Sequence, residues 1–295
     1  MLQMLAANQF GSVKKINLTE NITGLEIEHQ YCTATISLYG GQVLAWQPNG
    51  QKPVFWLSDA NQYQVGKAIR GGIPLCWPWF GAHHNDPENH SGNHGFARKQ
   101  MWEIDTIELL EQHVVVILKW QGENIHSLFS VNCQLKQTLV FGENFSQQLL
   151  ISNLSNKDCD YTAALHSYIQ VGNPQEINII ELSTLEFDDQ LTAEHRRPEV
   201  FINGMGPIDR IYHRLAEQSQ TMQIQDSRWQ RTIEVTSNNC QQWVFWNPGK
   251  FGAETMSDVH KNGENEFVCL EPANTEPQKL AANSSVLIGQ TIKVF

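Results

Sequence analysis

Phe129-Ser130-Val131-Asn132-Cys133-Gln134-Leu135-Lys136-Gln137-Thr138-Leu139-Val140-Phe141 alternates cleanly, with Phe129, Val131, Cys133, Leu135 and Gln137 on one face. A period of two is that of a β-strand, whose successive side chains point to opposite faces. The same grammar recurs on either side. Upstream, residues 31–38 are rich in β-formers and end at the turn Gly40-Gly41. Residues 43–46 and 54–57 are short apolar runs, with Pro48-Asn49-Gly50 between them as a hairpin-type connection. Residues 101–109 alternate, and residues 113–120 read as a strand buried on both faces. Downstream, strand signals cover residues 145–151, 160–171, 177–182, 221–225, 229–236, 241–246, 266–270 and 286–295. Helical periodicity is nearly absent, with at most a turn or two expected near residues 253–259. A dozen or more short strands, with no internal repeat and no long linker, predict an all-β chain. Its architecture is one large antiparallel β-sandwich domain over residues 1–295. Two packed β domains are the weaker alternative, because no composition break marks a boundary.

The chain has 295 residues and 31 acidic against 20 basic side chains, a formal net charge of −11. That balance argues against nucleic acid or a membrane surface as partner, since both require a basic footprint. An anionic substrate would need a local cluster of Arg or Lys. The cysteines Cys32, Cys76, Cys133, Cys159, Cys240 and Cys269 are scattered without a CxxC pair. They read as reduced, buried thiols in a reducing compartment. Residues 1–10 lack the basic start and apolar core of a signal peptide. No run approaches the roughly 18 apolar residues of a membrane span. A soluble, cytoplasmic protein is expected; its oligomeric state is not legible.

One stretch does not read as a strand. Arg70-Gly71-Gly72-Ile73-Pro74-Leu75-Cys76-Trp77-Pro78-Trp79-Phe80-Gly81 is followed by a His-rich loop and then Asn93-His94-Gly95-Phe96-Ala97-Arg98. The glycines permit tight bends and close approach of a ligand, and the prolines remove two ladder donors. Trp77, Trp79 and Phe80 offer flat faces that stack on a sugar ring or plug one end of a core. Local pattern leaves both readings open.

Three residues stand out chemically. Period two puts Thr162, Ala164, His166, Tyr168 and Gln170 on one strand face, so His166 sits mid-strand on the lining of a cleft, and its ordinary pKa suits proton transfer. Glu271 follows the apolar run Phe267-Val268-Cys269-Leu270 and precedes Pro272. A carboxylate at the mouth of a buried strand has a raised pKa, and the proline would fix the exit of the chain. Asp209, after the turn Gly204-Met205-Gly206-Pro207, could accept from ligand hydroxyls or pair with Arg210 or Arg214. Each also has a bland counterpart as a surface or structural residue. The loop His83-His84-Asn85-Asp86-Pro87-Glu88-Asn89-His90 lacks the spacing that aims two imidazoles at one ion, so no metal is assigned to it. No phosphate-cradling loop, nucleophile elbow or dinucleotide fingerprint is present.

Taken in order, these segments resemble the aldose 1-epimerase superfamily, in particular its hexose-6-phosphate mutarotase branch. The carriers are Arg70-Gly71-Gly72-Ile73-Pro74, Trp77-Pro78, Phe80-Gly81, His94-Gly95-Phe96-Ala97-Arg98, Leu165-His166-Ser167-Tyr168 and Asp209-Arg210-Ile211-Tyr212. Trp246-Asn247-Pro248, Met256-Ser257-Asp258 and Val268-Cys269-Leu270-Glu271-Pro272 complete the set. The resemblance implies a galactose-mutarotase-like β-supersandwich whose site, on a concave face, uses neither metal nor cofactor. It implies His166 and Glu271 as the catalytic pair. Arg70, Asn93, Arg98 and Asp209 would hold a hexose 6-phosphate, glucose 6-phosphate foremost, with the arginines as partners of its phosphate. His94 would line the site beside Asn93, whose position varies in the family. Glu271 would act as base on the anomeric hydroxyl and protonated His166 as acid on the ring oxygen, so the two must titrate oppositely. The rival readings are a non-catalytic sugar-binding sandwich, a 1-epimerase of unphosphorylated aldoses, and a metal-dependent isomerase using residues 83–90.

Overall fold

Alternating apolar residues bury one face of a strand, and three sheets result. The computed structural model describes residues 3–214 and 220–295; Met1 and Leu2, part of the segment read above for a signal peptide, lie outside the described residues. In chain order the strands are β1 (Gln3–Asn8), β2 (Gly11–Asn17), β3 (Thr23–His29), β4 (Cys32–Ser37), β5 (Gln42–Pro48), β6 (Leu75–Cys76) and β7 (Glu103–Leu109). They continue as β8 (His113–Gly122), β9 (Cys133–Gly142), β10 (Phe145–Asn153), β11 (Cys159–Leu165), β12 (Tyr168–Gln170), β13 (Ile177–Asn178) and β14 (Phe187–Asp189). The last are β15 (Glu194–Arg196), β16 (Ile208–His213), β17 (Thr221–Asp226), β18 (Arg231–Asn238), β19 (Gln242–Asn247), β20 (Phe267–Leu280) and β21 (Ser285–Val294). One short helix, α1 (Gly249–Thr255), lies close to where a helical turn was expected.

Strands β1 to β5 form a meander. The second sheet runs β13-β17-β18-β21-β10-β9-β8-β7, and the third β15-β14-β16-β19-β20-β11-β6, with β12 on β20. The fold is thus an all-β, antiparallel supersandwich. In β9 the inward residues Cys133, Leu135, Gln137, Leu139 and Phe141 are all buried, as the alternation predicts. They share one apolar core with Leu165 of β11, Phe245 of β19 and Val268 and Leu270 of β20. Full burial of each large aliphatic or aromatic side chain favours folding by about 1.5–3 kcal/mol. Because Val268 and Leu270 face the core, Cys269 and Glu271 must face the other way. Asp209 and Ile211 of β16, and Val244 and Trp246 of β19, take the same direction. The outer face of the third sheet carries the site.

Several expectations are corrected. Strand β8 alternates between buried and half-buried positions and is covered on one face only. Residues 54–57 return to the preceding run through one backbone bond, Val54 N–H to the Trp46 carbonyl at 3.1 Å, but make no ladder with it: Phe55 bridges to Ile169 and Leu57 to Gly71. Residues 177–182 give a two-residue strand and then a 3-10 turn, Ile180–Thr184. Trp77 and Trp79 are core residues, 1% and 4% exposed. Glu271-Pro272 does not end a strand, since β20 continues to Leu280. The six cysteines are free thiols, all but the half-buried Cys159 buried. No helix among the described residues is long and apolar enough to cross a membrane.

Candidate active site

His166 owes its position to a broken strand. The 160–171 run divides into β11 and β12, and His166-Ser167 form the break between them. The pairing of β11 with β20 ends at Ala164–Ala273, and that of β12 resumes at Tyr168–Cys269. Glu271 and Pro272 lie opposite this gap, where the missing proline N–H leaves no neighbour unpaired on that side. The His166 backbone N–H instead donates to the Pro74 carbonyl at 3.1 Å, and Tyr168 N–H to Gly72 at 2.9 Å. Gly72 is left-handed, and a Cβ there would strike the Val43 carbonyl, so only glycine lets this wall approach.

Behind the break runs a buried polar chain. Gln290 Nε2 donates to Ser167 Oγ at 2.9 Å and to Gln147 Oε1 at 2.8 Å. Gln147 Nε2 donates to Gln137 Oε1 at 2.6 Å, and Gln137 Nε2 to the Gly41 carbonyl at 2.6 Å. Three glutamines thus cross the core and hold the residue next to His166. Gln137, which alternation had placed among the apolar residues of β9, is one of them.

His166 Nδ1 lies 3.1 Å from Glu271 Oε1, with both side chains almost wholly buried. The imidazole stacks on the Tyr168 ring, with centroids 4.8 Å apart and planes 6° from parallel. His94 and Trp246 meet it edge to face at 5.6 and 6.1 Å. His166, Glu271, His94 and Trp246 line a cavity of about 340 Å³ together with Arg70, Asn93, Arg98, Asp209, Phe80, Gln190 and Met256. That is the lower end of the range for small-ligand clefts, about 300–1,000 Å³. All seven site residues expected from the sequence converge here.

Electrostatics corrects one expectation. Burial holds Glu271 well above the ordinary carboxyl value, and the nearby Asp209 pushes the same way against a smaller opposing pull from Arg98. Burial likewise drives His166 well below the ordinary imidazole value, aided by His94, Arg98 and Arg70. Burial thus drives both groups toward their uncharged forms and away from an ion pair. Arg98 does not outweigh the desolvation of Glu271, and both arginines add to that of His166. Asp209, half-buried, desolvated and repelled by Asp189, is lifted to about 6. It does not pair with Arg210, whose Nε instead meets Asp189 at 3.4 Å.

The two arginines differ. Arg70 donates through Nε to Asp258 Oδ2 at 3.1 Å and through Nη1 to the Tyr168 hydroxyl at 2.8 Å. Arg98 donates through Nη2 to the Asn93 carbonyl at 2.8 Å, while its buried Nε has no hydrogen-bond partner among the described residues. His94 Nδ1 accepts from Gly81 N–H at 3.1 Å, which places the ring proton on Nε2. The His83–His90 loop brings no three ligand atoms together among the described residues.

Sequence reasoning assigned no role to Tyr168, Trp246, Asp258 or Gln190. Tyr168 was legible as a neighbour of His166 on one face, and Trp246 and Asp258 lie in quoted motifs. Gln190 had no signal: it follows the short β14, and its N–H donates to the Asp209 carbonyl at 2.8 Å.

Comparison with known proteins gives one consistent picture. The aldose 1-epimerase family model matches residues 24–289. A Salmonella typhimurium protein bearing the provisional name glucose-6-phosphate 1-epimerase is 29% identical over 276 residues, 91% of this chain and 89% of that one. A Cenchrus ciliaris protein with the same provisional name is 30% identical over 258 residues, covering 83% and 76%. Among solved structures, a provisionally assigned mutarotase from Salmonella typhimurium superposes with a TM-score of 0.87 at 26% identity, covering 99% of this chain and 96% of that one. A galactose mutarotase-like protein from Clostridium acetobutylicum reaches 0.75 at 16% identity over 98% and 99%, a likeness of fold.

Proposed function

The chain belongs to the aldose 1-epimerase family, and from that membership we propose that it interconverts the α and β anomers of a D-hexose 6-phosphate, glucose 6-phosphate foremost. We propose further that residues 1–295 act as a single unit and work in the cytoplasm. As a family member the protein is an isomerase acting on a small sugar. The observation that carries the finer reading is a buried His–Glu pair at 3.1 Å in one cavity with two guanidinium groups.

The chemistry follows from the groups. Anomers differ only at one carbon and share an oxidation level, so the reaction needs proton transfers and no electron transfer. The resting pair holds one proton on the Glu271 side. Moving it to His166 across the 3.1 Å contact yields a carboxylate base and an imidazolium acid. Glu271 then takes the proton of the anomeric hydroxyl while His166 donates to the ring oxygen, and the ring opens. The aldehyde turns about its bond to the neighbouring carbon and recloses with the transfers reversed. Each positioned proton transfer contributes about 10²–10⁴-fold.

Trp246 and Phe80 offer faces to the sugar, and Asp209, Asn93 and His94 offer hydrogen bonds to its hydroxyls. Arg98 is the better phosphate partner because it lines the cavity and no carboxylate among the described residues pairs with it, its Nη2 donating to the Asn93 carbonyl. Arg70 is already satisfied by Asp258 and Tyr168. That commitment favours a second reading, in which unphosphorylated aldoses are the substrate and Arg70 serves the wall of the site.

Magnetisation-transfer NMR of anomer exchange tests both. The enzyme, with His166→Ala and Glu271→Ala, is supplied with a free hexose and with its 6-phosphate. Faster exchange of the phosphate, lost in both variants, supports the first reading. Equal rates on the two sugars support the second. A background rate on both sugars refutes the catalytic pair.

A further inference from the structure

Outside the cavity, one cluster combines imidazole and carboxylate at metal-ligand spacing. Asp188 of β14 lies in register between His195 of β15 and Ile211 of β16. His213 is two residues beyond Ile211, on the same face. His195 Nδ1 is 2.8 Å from Asp188 Oδ1, and His213 Nε2 is 2.8 Å from Asp188 Oδ2. Three ligand atoms from three adjacent strands fall within 4.8 Å of one another. We propose that Asp188, His195 and His213 form a site for one divalent transition-metal ion of the zinc class, on the rim of the sugar cavity.

The donor set selects the ion. Two imidazoles and one carboxylate suit Zn²⁺, Co²⁺ or Ni²⁺, whereas all-oxygen shells suit Mg²⁺ and Ca²⁺. Tetrahedral metal bonds of about 2.0–2.2 Å set ligand atoms about 3.4 Å apart, so the two 2.8 Å His–Asp contacts must open slightly to admit the ion, while the whole set already lies within 4.8 Å. A second carboxylate supports the first imidazole: Glu186 Oε2 is 3.5 Å from His195 Nε2. When Nδ1 binds the ion, the ring proton moves to Nε2, where Glu186 accepts it, the usual outer-shell arrangement of a ligating histidine. The three groups are between 30% and 55% exposed, so an ion reaches them from solvent and open positions remain for water.

The location gives the site a consequence. Ile211 lines the cavity and stands one strand, about 4.8 Å, from Asp188. Gln190, which also lines the cavity, is two residues after Asp188. An ion bridging β15, β14 and β16 therefore pins the hairpin that presents Gln190 to the sugar.

Equilibrium dialysis of the full chain, stripped with chelator, against Zn²⁺ tests this, with Co²⁺ absorption reporting the ligand geometry. One ion per chain is expected. Asp188→Asn and His213→Gln should each weaken binding at least as much as loss of an outer-shell partner does, about 10–100-fold. His84→Gln should leave it unchanged. No stoichiometric Zn²⁺ binding by the wild type overturns the proposal. So does binding that survives His213→Gln but is lost in His166→Ala, which would put the ion at the buried His166–Cys269–Glu271 group.

Discussion

Replacing Gln290 by Met isolates the buried glutamine chain from everything else in the fold. The side chain is fully buried and keeps its length, so no cavity opens. What is lost is one amide: Gln147 Oε1 loses its donor at 2.8 Å, and Ser167 Oγ loses its partner at 2.9 Å. An unsatisfied buried polar group costs about 1–3 kcal/mol, and Ser167 keeps a weaker bond to the Leu165 carbonyl, so about 2–4 kcal/mol is expected. Gln147→Met alone should cost a similar amount, because it removes one of the two acceptors of Gln290 Nε2 and orphans Gln137 Oε1. The double variant removes both ends of the shared bond and leaves only the two outer orphans. It should therefore be less damaging than the sum of the singles, by about 1–3 kcal/mol of coupling. Urea unfolding at constant m-value measures all three. The kinetic counterpart is a fall in turnover with little change in KM, since Ser167 positions His166 and does not touch sugar. Additivity within about 0.5 kcal/mol would refute the continuous chain.

Two further predictions follow from the electrostatics of the pair. Because His166 is held well below its ordinary 6.5, the acid limb of kcat/KM should fall below that value; the profile is best taken in Asp209→Asn, which removes the group lifted to about 6. A limb at or above 6.5 would mean that His166 is not desolvated as described. Glu271→Gln should gain stability relative to wild type as pH rises. The folded state holds the Glu271 proton more tightly than the unfolded chain does. The wild type therefore has its full stability below the ordinary carboxyl value of 4.5 and loses it as pH climbs through the raised value. Each unit of separation corresponds to about 1.36 kcal/mol. Chemical denaturation at pH 5 and pH 8 reads the difference, and a gap independent of pH would count against a protonated Glu271.

Where alternation is dictated by burial, the sequence was readable. Strands β4, β9, β10, β18 and β21 bury one face each, and their period survives in the residues. The first three strands escaped notice, and apolar contrast is weak only in the first two: β1 buries no residue and β2 buries Val13 alone, whereas β3 alternates buried Leu25 and Ile27 with Glu26 and Glu28, which lie 3.5 and 3.0 Å from Lys14. Trp77 and Trp79 were ambiguous for the opposite reason, since an indole serves a core as well as a sugar platform. The indole that lines the cavity is instead Trp246, whose neighbour in register is Asp209.

Pro272 shows most clearly why the rest was illegible. Read locally, Glu271-Pro272 ends a strand, because proline cannot donate to a ladder. In the fold, β20 runs through it, since the neighbouring strand is itself interrupted at His166-Ser167 and asks nothing of that N–H. The interruption is a property of two segments more than a hundred residues apart, and neither announces it alone. The same gap turns His166 toward Glu271 at 3.1 Å, and a continuous ladder there would have kept the two strands in ordinary register. The local rule fails at the position where the pair is made.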